Sequence, residues 1–318
     1  LKTTVVIPTI RPEMMPKFLQ DWQEELKDAH IIVVEDHPTR SLSLEGGNVS
    51  HYCQADVTDA KLDDVIPFFT CAIANFGFLQ AKADKPDFIV MLNDDVKPLT
   101  SLFLQTHAAA LGEFAVDESA WVNTGTGVWA RGVPYRNRAR HSTCVVNHGL
   151  WAGNPDLDAL TSLYLGRVAS EMPFEPCNRV IPVGRYFPFS DINFAFTTSA
   201  LPMMFLAPMG KGYPFWRFED VWMGVVLKKV CDHLGLAVRS GMPLVKHTRA
   251  SNVWANLRGE ATALEFNEMF WQQVDSLVLT GRQVGDCMNE IGESFVKSGD
   301  TYLERYGTSI LRWVELTC

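Results

Sequence analysis

No apolar run in this sequence is clean enough to cross a membrane. The most apolar stretch, Phe187 to Met209, is interrupted by Asp191, Asn193, Pro202 and Pro208 and reads as core. Positive charge is also scarce: 28 Lys and Arg stand against 37 Asp and Glu, a formal net charge of −9 with a pI of about 5.4. That balance excludes the electrostatic footprint of a general nucleic-acid binder or of a protein that docks on anionic membranes. The 7 cysteines never form Cys-x-x-Cys, so neither a disulfide framework nor a zinc knuckle is indicated, and a reducing compartment is expected. Internal repeats, low-complexity tracts and linkers are missing too. The opening Leu1-Lys2-Thr3-Thr4 runs straight into a β-type segment without the basic-then-apolar layout of a signal peptide, so the expected location is cytoplasmic.

What is present is globular. The chain has 318 residues, 47% hydrophobic and 20% charged, enough to bury an extensive core without metal or disulfide staples. Thr4-Val-Val-Ile-Pro8 and Ile31-Ile-Val-Val34 are short β-branched runs, and between them Glu13 to Lys27 carries apolar residues at helical spacing. A second helical segment, Phe68 to Ala81, leads through Asp84-Lys-Pro86 into the strand Phe88-Ile-Val-Met-Leu92. Strands that are nearly all apolar suit a parallel sheet covered by helices on both faces, so the expected class is α/β. Beyond residue 100 aromatic and Gly/Pro-rich segments dominate. A helix then spans Glu219 to Leu234, Leu236-Ala-Val238 is a candidate strand, and Ser251 to about Glu304 reads as mostly helical. One domain with a helical C-terminal extension is preferred.

Polar residues follow each early strand: Thr9 and Arg11 the first, Asp36 the second, Asn93-Asp94-Asp95 the third. In an open parallel sheet the carboxyl edge is where ligands bind, so these residues face one crevice. Adjacent Asp94 and Asp95 are hard oxygen donors suited to Mg²⁺ or Mn²⁺ in company with substrate phosphates, and equally suited to a capping turn. Asp36 can accept from a base or ribose, or cap a turn. His247 after Met242-Pro-Leu-Val245 reads as a structural hydrogen-bonder or as a metal ligand. Glu219 and Asp220 can complement the dipole of the helix they open, or serve as a general base. His148-Gly-Leu-Trp151 and Asn154-Pro-Asp156-Leu-Asp158 combine an aromatic with carboxylates, a set able to stack on and hydrogen-bond a sugar. The arginine-rich run from Arg131 to Arg140 is a solvated face or an anion-binding loop.

Taken together these motifs resemble the reversibly glycosylated polypeptides, also called UDP-arabinopyranose mutases. The resemblance rests on Ile7-Pro-Thr-Ile-Arg11, Asn93-Asp-Asp95, the His148 to Asp158 region, Arg217-Phe-Glu-Asp220 with Trp222, Cys231-Asp-His-Leu-Gly-Leu236 and His247-Thr-Arg-Ala-Ser-Asn252, and it extends to about Trp271. It implies a GT-A-like, Rossmann-like fold: a mostly parallel sheet flanked by helices over 1–271, with 272–318 a helical extension packed on it. It also implies a nucleotide-sugar site drawn from Pro8, Thr9, Arg11, Asp36, Asn93, Asp94, His148, Trp151, Asp156 and Asp158. Asp95 and His247 are the implied ligands of Mn²⁺ or Mg²⁺. The family's acidic motif is usually three aspartates, so Asn93 is a departure: an amide there can still hydrogen-bond a ribose but brings no charge to a metal.

The resemblance further implies a pyranose–furanose mutase acting on a UDP-pentose, with UDP-arabinose as substrate. Reversible self-glycosylation is expected on an arginine in Arg131-Gly-Val-Pro-Tyr135. The second family arginine maps to Arg138, with Arg136 the alternative because the spacing to His148 is one residue longer. Glu219 and Asp220 join the two arginines as catalytic candidates. Arginine is protonated at neutral pH, so a nucleophilic guanidine requires a carboxylate beside it, with Asp156 and Asp158 also eligible. A metal-dependent glycosyltransferase acting on a separate acceptor, and a self-glycosylated scaffold without turnover, are the competing classes. Homo- or hetero-oligomers are a family expectation.

Overall fold

The computed structural model describes every residue except 45–46, 117–127, 129–130, 136–139, 155, 166–177 and 248–251. Its first half alternates strands and helices as the hydrophobic spacing predicts. Strand β1 (Thr3–Thr9) leads through a short helical turn to helix α1 (Met15–Leu26). Then come β2 (His30–Glu35), β3 (Val49–Cys53), α2 (Gln54–Asp59), α3 (Ala74–Ala83) and β4 (Phe88–Leu92). Next are β5 (Val96–Pro98), α4 (Phe103–Ala110), β6 (Gly112–Val116), β7 (Arg140–Gly153), α5 (Ala159–Leu165), β8 (Asn178–Val180) and β9 (Asn193–Thr197). The chain ends with α6 (Glu219–Leu234), β10 (Ala237–His247), α7 (Val253–Ser276), α8 (Val284–Val296) and α9 (Thr301–Thr317).

Among the described residues all ten strands form one sheet, with main order β3-β2-β1-β4-β9-β7-β10-β5, while β6 pairs with β7 and β8 with β10. β1, β2, β3 and β4 pair in parallel, β9 runs antiparallel between β4 and β7, and β10 lies parallel to β7. The double reversal across β9 returns β7 and β10 to the direction of β1, so the strands that dominate the sheet share one carboxyl edge. The α/β class expected from the sequence holds, as one sheet of parallel and antiparallel strands flanked by helices.

Alternation along the strands sorts the core into two layers. Val6, Ile32 and Val34 join α3, α6, α8 and α9 on one face, while Val5, Ile7, Ile31 and Val33 join α1 and α4 on the other. Phe187–Met209 is core as expected: Phe189, Phe194, Phe196, Met203, Phe205 and Met209 are all buried. The C-terminal helices insert Ile291, Phe295, Tyr306 and Trp313 into the same layer. Trp313 stacks on Phe205 at 5.1 Å and donates its indole N–H to Leu201 O at 3.3 Å. Among the described residues no helix is long and apolar enough to cross a membrane.

Three elements differ from the sequence reading. The helix expected from Phe68 begins only at Cys71, because Phe69 adopts φ 63° and Thr70 caps the turn by accepting from Ala72 N–H at 3.1 Å. The strand expected at 236–238 continues to His247: Pro243, which has no N–H to give, falls in a register shift of the β7–β10 ladder between Gly241 and Val245. Helix also runs beyond Glu304 to Thr317.

A buried polar chain pins the middle of the sheet. Asn147 donates to His107 Nδ1 (2.9 Å), His107 Nε2–H donates to Asn193 Oδ1 (3.0 Å), and Asn193 donates to Pro243 O (3.0 Å). Burial holds this imidazole neutral, with its pKa lowered to about 3.

Because Trp313 bridges α9 to the central layer, Trp313→Ala is expected to destabilise the whole protein by about 3–5 kcal/mol. Denaturant unfolding followed by far-UV circular dichroism should show a single transition moved to lower denaturant. A separate early transition confined to the C-terminal helices would contradict this.

Candidate functional site

Strand direction gathers the polar ends. β1, β2, β4, β7 and β10 all terminate on one edge, carrying Thr9, Asp36, Asn93–Asp95, Asn154 and His247 to it. Since β9 runs the other way, Asp191 just before it arrives at the same edge. Register then sets the closest approach. β5 pairs antiparallel with β10 so that Val96 faces His247, and β10 pairs with β7 so that His247 faces Gly153. Asp95 Oδ1 thereby lies 3.6 Å from His247 Nε2. Gly153 is required here: its φ is 98°, and a Cβ would stand 2.3 Å from His247 O.

His247 is aimed by its other nitrogen, where Nδ1–H donates to Asn154 O at 3.3 Å. Nε2 is left facing the Asp95 carboxylate. Burial opposes a proton on this imidazole, but the bond to Asp95 and its charge prevail and raise the His247 pKa. Asp95 is the mirror case: burial would raise its pKa, and His247 with Arg11 overrules that and lowers it. A carboxylate oxygen and an imidazole nitrogen so oriented can share a divalent cation. Among the described residues no group of three or more such side chains gathers, so protein atoms alone would fill only part of a coordination shell.

Arg11 spans Asp94 and Asp95. Nη2 pairs with both carboxylates, at 3.1 Å to Asp95, and Nε–H donates to Asp94 at 3.3 Å. Thr9 Oγ–H donates to the same Asp94 at 2.6 Å. Arg11 Nη1 is buried with no partner, a charged donor waiting for an acceptor at the edge.

A second cluster adjoins through Asn93, whose amide donates to Asp191 Oδ1 at 3.2 Å. Asp191 N–H donates to Asp220 Oδ2 at 3.1 Å, and Cys71 N–H donates to Glu219 Oε1 at 3.3 Å. Glu219 Oε2 is buried without a partner. Burial first, then the charge of Asp191, pushes Glu219 up to about 7 and Asp220 well above its ordinary value. Asp220 and Glu219 do open α6 as expected, and in addition burial and mutual repulsion favour their protonated forms. Asp191 was not among the residues expected at the site; a carboxylate interrupting an apolar stretch was the signal.

Residues 2–103 and 121–317 match the family model described as reversibly glycosylated polypeptide. The chain belongs to this family. It is 29% identical to UDP-arabinopyranose mutase 1 of Arabidopsis thaliana, over 98% of this chain and 90% of that protein. With a probable UDP-arabinopyranose mutase 1 of Zea mays it shares 30% identity over the same fractions. Among solved structures a galactosyltransferase LgtC, in complex with donor and acceptor sugar analogs, gives a TM-score of 0.30 at 8% identity, covering 100% of this chain and 95% of that one; a likeness so slight carries no argument.

Within this family member the expected site residues separate. Thr9, Arg11, Asn93, Asp94, Asp95, Glu219, Asp220 and His247 converge at the edge. Asp36 is fully buried with both oxygens engaged, by Gln54 Nε2 at 2.8 Å and Thr70 N–H at 3.1 Å, so it orders the 69–70 turn; the acceptor role expected for it toward base or ribose is taken by protein. Pro8 is covered within β1. His148 lies below the surface: Ser190 N–H donates to Nε2 (3.2 Å), Nδ1–H donates to Ser240 Oγ (2.9 Å), and burial lowers its pKa to about 4. Trp151 packs edge-on against it at 6.0 Å, half-buried. Asp158, partly buried, caps α5 by accepting from Thr161 N–H at 2.9 Å and Thr161 Oγ–H at 2.6 Å. Asp156 is exposed, and its charge is felt by both Asp191 and Asp220. Arg131 is exposed, and among the described residues no hydrogen bond or ion pair ties it to the acidic edge; Arg136 and Arg138 lie outside the described residues.

Glu219 sets a pH signature. Its folded pKa, about 7, exceeds the ordinary value of 4.5, so the folded state holds the extra proton between the two. Stability is therefore full below about pH 4.5 and declines as pH rises through about 7. Glu219→Gln, which keeps the acceptor for Cys71 N–H, is expected to raise stability relative to wild type at pH 8 by on the order of 1–3 kcal/mol and to change little at pH 4.5. Urea midpoints at the two pH values measure the difference.

Proposed function

We propose that this protein interconverts the pyranose and furanose forms of a UDP-pentose, UDP-arabinose being the substrate indicated by its relatives, with Mn²⁺ or Mg²⁺ as cofactor. The observation that carries this reading is the Asp95–His247 pair beside the unpartnered Arg11 Nη1, at the carboxyl edge of a family member's sheet. One carboxylate oxygen, one imidazole nitrogen and a free guanidinium donor fit a cation-bound diphosphate. The nitrogen donor favours Mn²⁺ over Mg²⁺, which prefers all-oxygen shells. When bound, the ion neutralises charge on the diphosphate as it leaves the sugar.

The remaining chemistry belongs to side chains. Ring size changes only once the anomeric carbon is free of UDP, because the glycosidic bond locks the ring. Arg11 Nη1 donates to a diphosphate oxygen as the C–O bond breaks and its electron pair passes to the phosphate. An arginine, Arg131 by family likeness with Arg138 second, forms a C–N bond to that carbon and gives up a guanidinium proton to a carboxylate. The ring C–O bond then opens, another sugar hydroxyl closes on the same carbon, and UDP displaces the arginine to release product. Asp220 and Glu219, opening α6 beside Asp191, supply and recover the protons of ring opening and closure.

Incubation with UDP-arabinopyranose and Mn²⁺, followed by chromatography of the nucleotide sugars, is expected to give UDP-arabinofuranose with no acceptor added; UDP as the sole product would indicate a transferase and overturn the reading. Asp95→Asn and His247→Ala should each weaken Mn²⁺-dependent UDP binding by about tenfold or more in calorimetry. Asp220→Asn is expected to lower kcat by about 100-fold or more with UDP affinity kept. Intact-mass analysis should find a pentose adduct on wild type and none on Arg131→Ala.

A further inference from the structure

The edge described above supplies charge for a diphosphate and protons for a sugar, yet a nucleotide also presents a flat base that must be covered. Asp36, the acceptor expected for it, is fully buried, with each oxygen accepting a hydrogen bond from within the protein. What Asp36 organises instead is the turn Phe68-Phe69-Thr70, which it holds through Thr70 N–H, while its own N–H donates to Thr9 O at 2.7 Å. The turn is thus tied to the ends of β1 and β2, and β1 is the strand that leads into Arg11.

Phe69 is the odd residue of that turn. Its φ is 63°, a conformation costly for a bulky side chain, and its ring is 53% exposed. Among the described residues it stacks on no other ring, although most of the large aromatics here are packed together. The turn is clamped on its other flank as well. A Cβ on Gly210 would meet Thr70 Cγ2 at 2.4 Å, and Cys71 N–H is bonded to Glu219. Strain of this kind persists only where the surroundings impose it. Here they impose an outward aromatic. Ile10, one residue beyond β1, is also exposed, at 55%, and its carbonyl is bonded to the His37 ring at 3.2 Å, so a second apolar side chain lies at the end of the same two strands.

We infer that Phe69 is the stacking platform for the pyrimidine ring of the nucleotide, held rigid by Asp36 and flanked by Ile10. The inference rests on the UDP-sugar reading and adds the residue that binds the base. In this arrangement the one turn spans the site. Phe69 covers the base beside β1 and β2, and Cys71 braces Glu219 at the sugar end, so base recognition and the proton-holding carboxylates share a single rigid segment.

The test separates base from diphosphate. Full-length protein with Mn²⁺ is titrated with UDP and, separately, with inorganic diphosphate in a calorimeter. Phe69→Gly removes the ring while accepting the left-handed backbone, and Phe69→Tyr retains a ring. Expected is a loss of about tenfold or more in UDP affinity for Phe69→Gly, unchanged affinity for inorganic diphosphate, and near wild-type UDP affinity for Phe69→Tyr. The inference is overturned if Phe69→Gly binds UDP as wild type does. It is equally overturned if UDP and diphosphate weaken together, which would mark a displaced loop. Wild-type protein that ignores UDP in the presence of Mn²⁺ overturns the parent reading and this inference with it, an outcome distinct from either of the others.

Discussion

The pairing of His247 with Val96 and Gly153 is the constraint on which the site depends. It brings a histidine from near residue 250 to within 3.6 Å of an aspartate from near residue 95. The distance is held by backbone ladders on two sides, so little rotamer freedom remains to be lost when a ligand arrives. The bulge around Pro243, the missing Cβ of Gly153 and the buried His107–Asn193 link all act to keep that register. A strand slipped by one residue would turn His247 to the other face of the sheet.

Much of the electrostatic structure at the edge opposes folding. Asp191 and Glu219 are buried and Asp220 is partly buried beside them, answered by backbone donors, the Asn93 amide, the Cys71 thiol and the charge of Arg217. Burying carboxylates this way costs several kcal/mol unless a proton is kept, and the raised pKa of Glu219 records that compromise. Asp94 and Asp95 are treated differently, with Arg11 spanning both. The acidic groups on this edge are thus pushed in different directions: His247 and Arg11 favour the ionised form of Asp95, suited to a cation, while burial favours the protonated forms of Glu219 and Asp220, suited to hydroxyl chemistry. Separation of this kind lets neighbouring carboxylates do different work. The large aromatic layer joining α6 to α9 offsets the cost of holding them there.

Legibility followed locality. The strands β1, β2 and β4 were evident because each is a dense apolar run, and their common edge followed from parallel pairing. The acidic triplet after β4 was visible as a break in hydrophobicity. His148 was read as a sugar contact because polar residues in a loop-like segment look available; it is buried, with both ring nitrogens bonded to Ser190 and Ser240. Asp191 was passed over because a lone carboxylate in an apolar stretch does not announce which strand direction will bring it to the edge. Phe69 sat inside a helical pattern whose first residues are not helical.

From sequence alone came the α/β class, the apolar strands, the family likeness and the residue types able to bind a cation, since these depend on composition and on spacing along a few neighbouring residues. Only the tertiary structure decided which of those residues are free to act. Access is what decides: a side chain bonded within the protein and sealed from solvent, as Asp36 and His148 are, is closed to a ligand, and pairing across a hundred residues or more is written in strand register and burial, which no local pattern specifies.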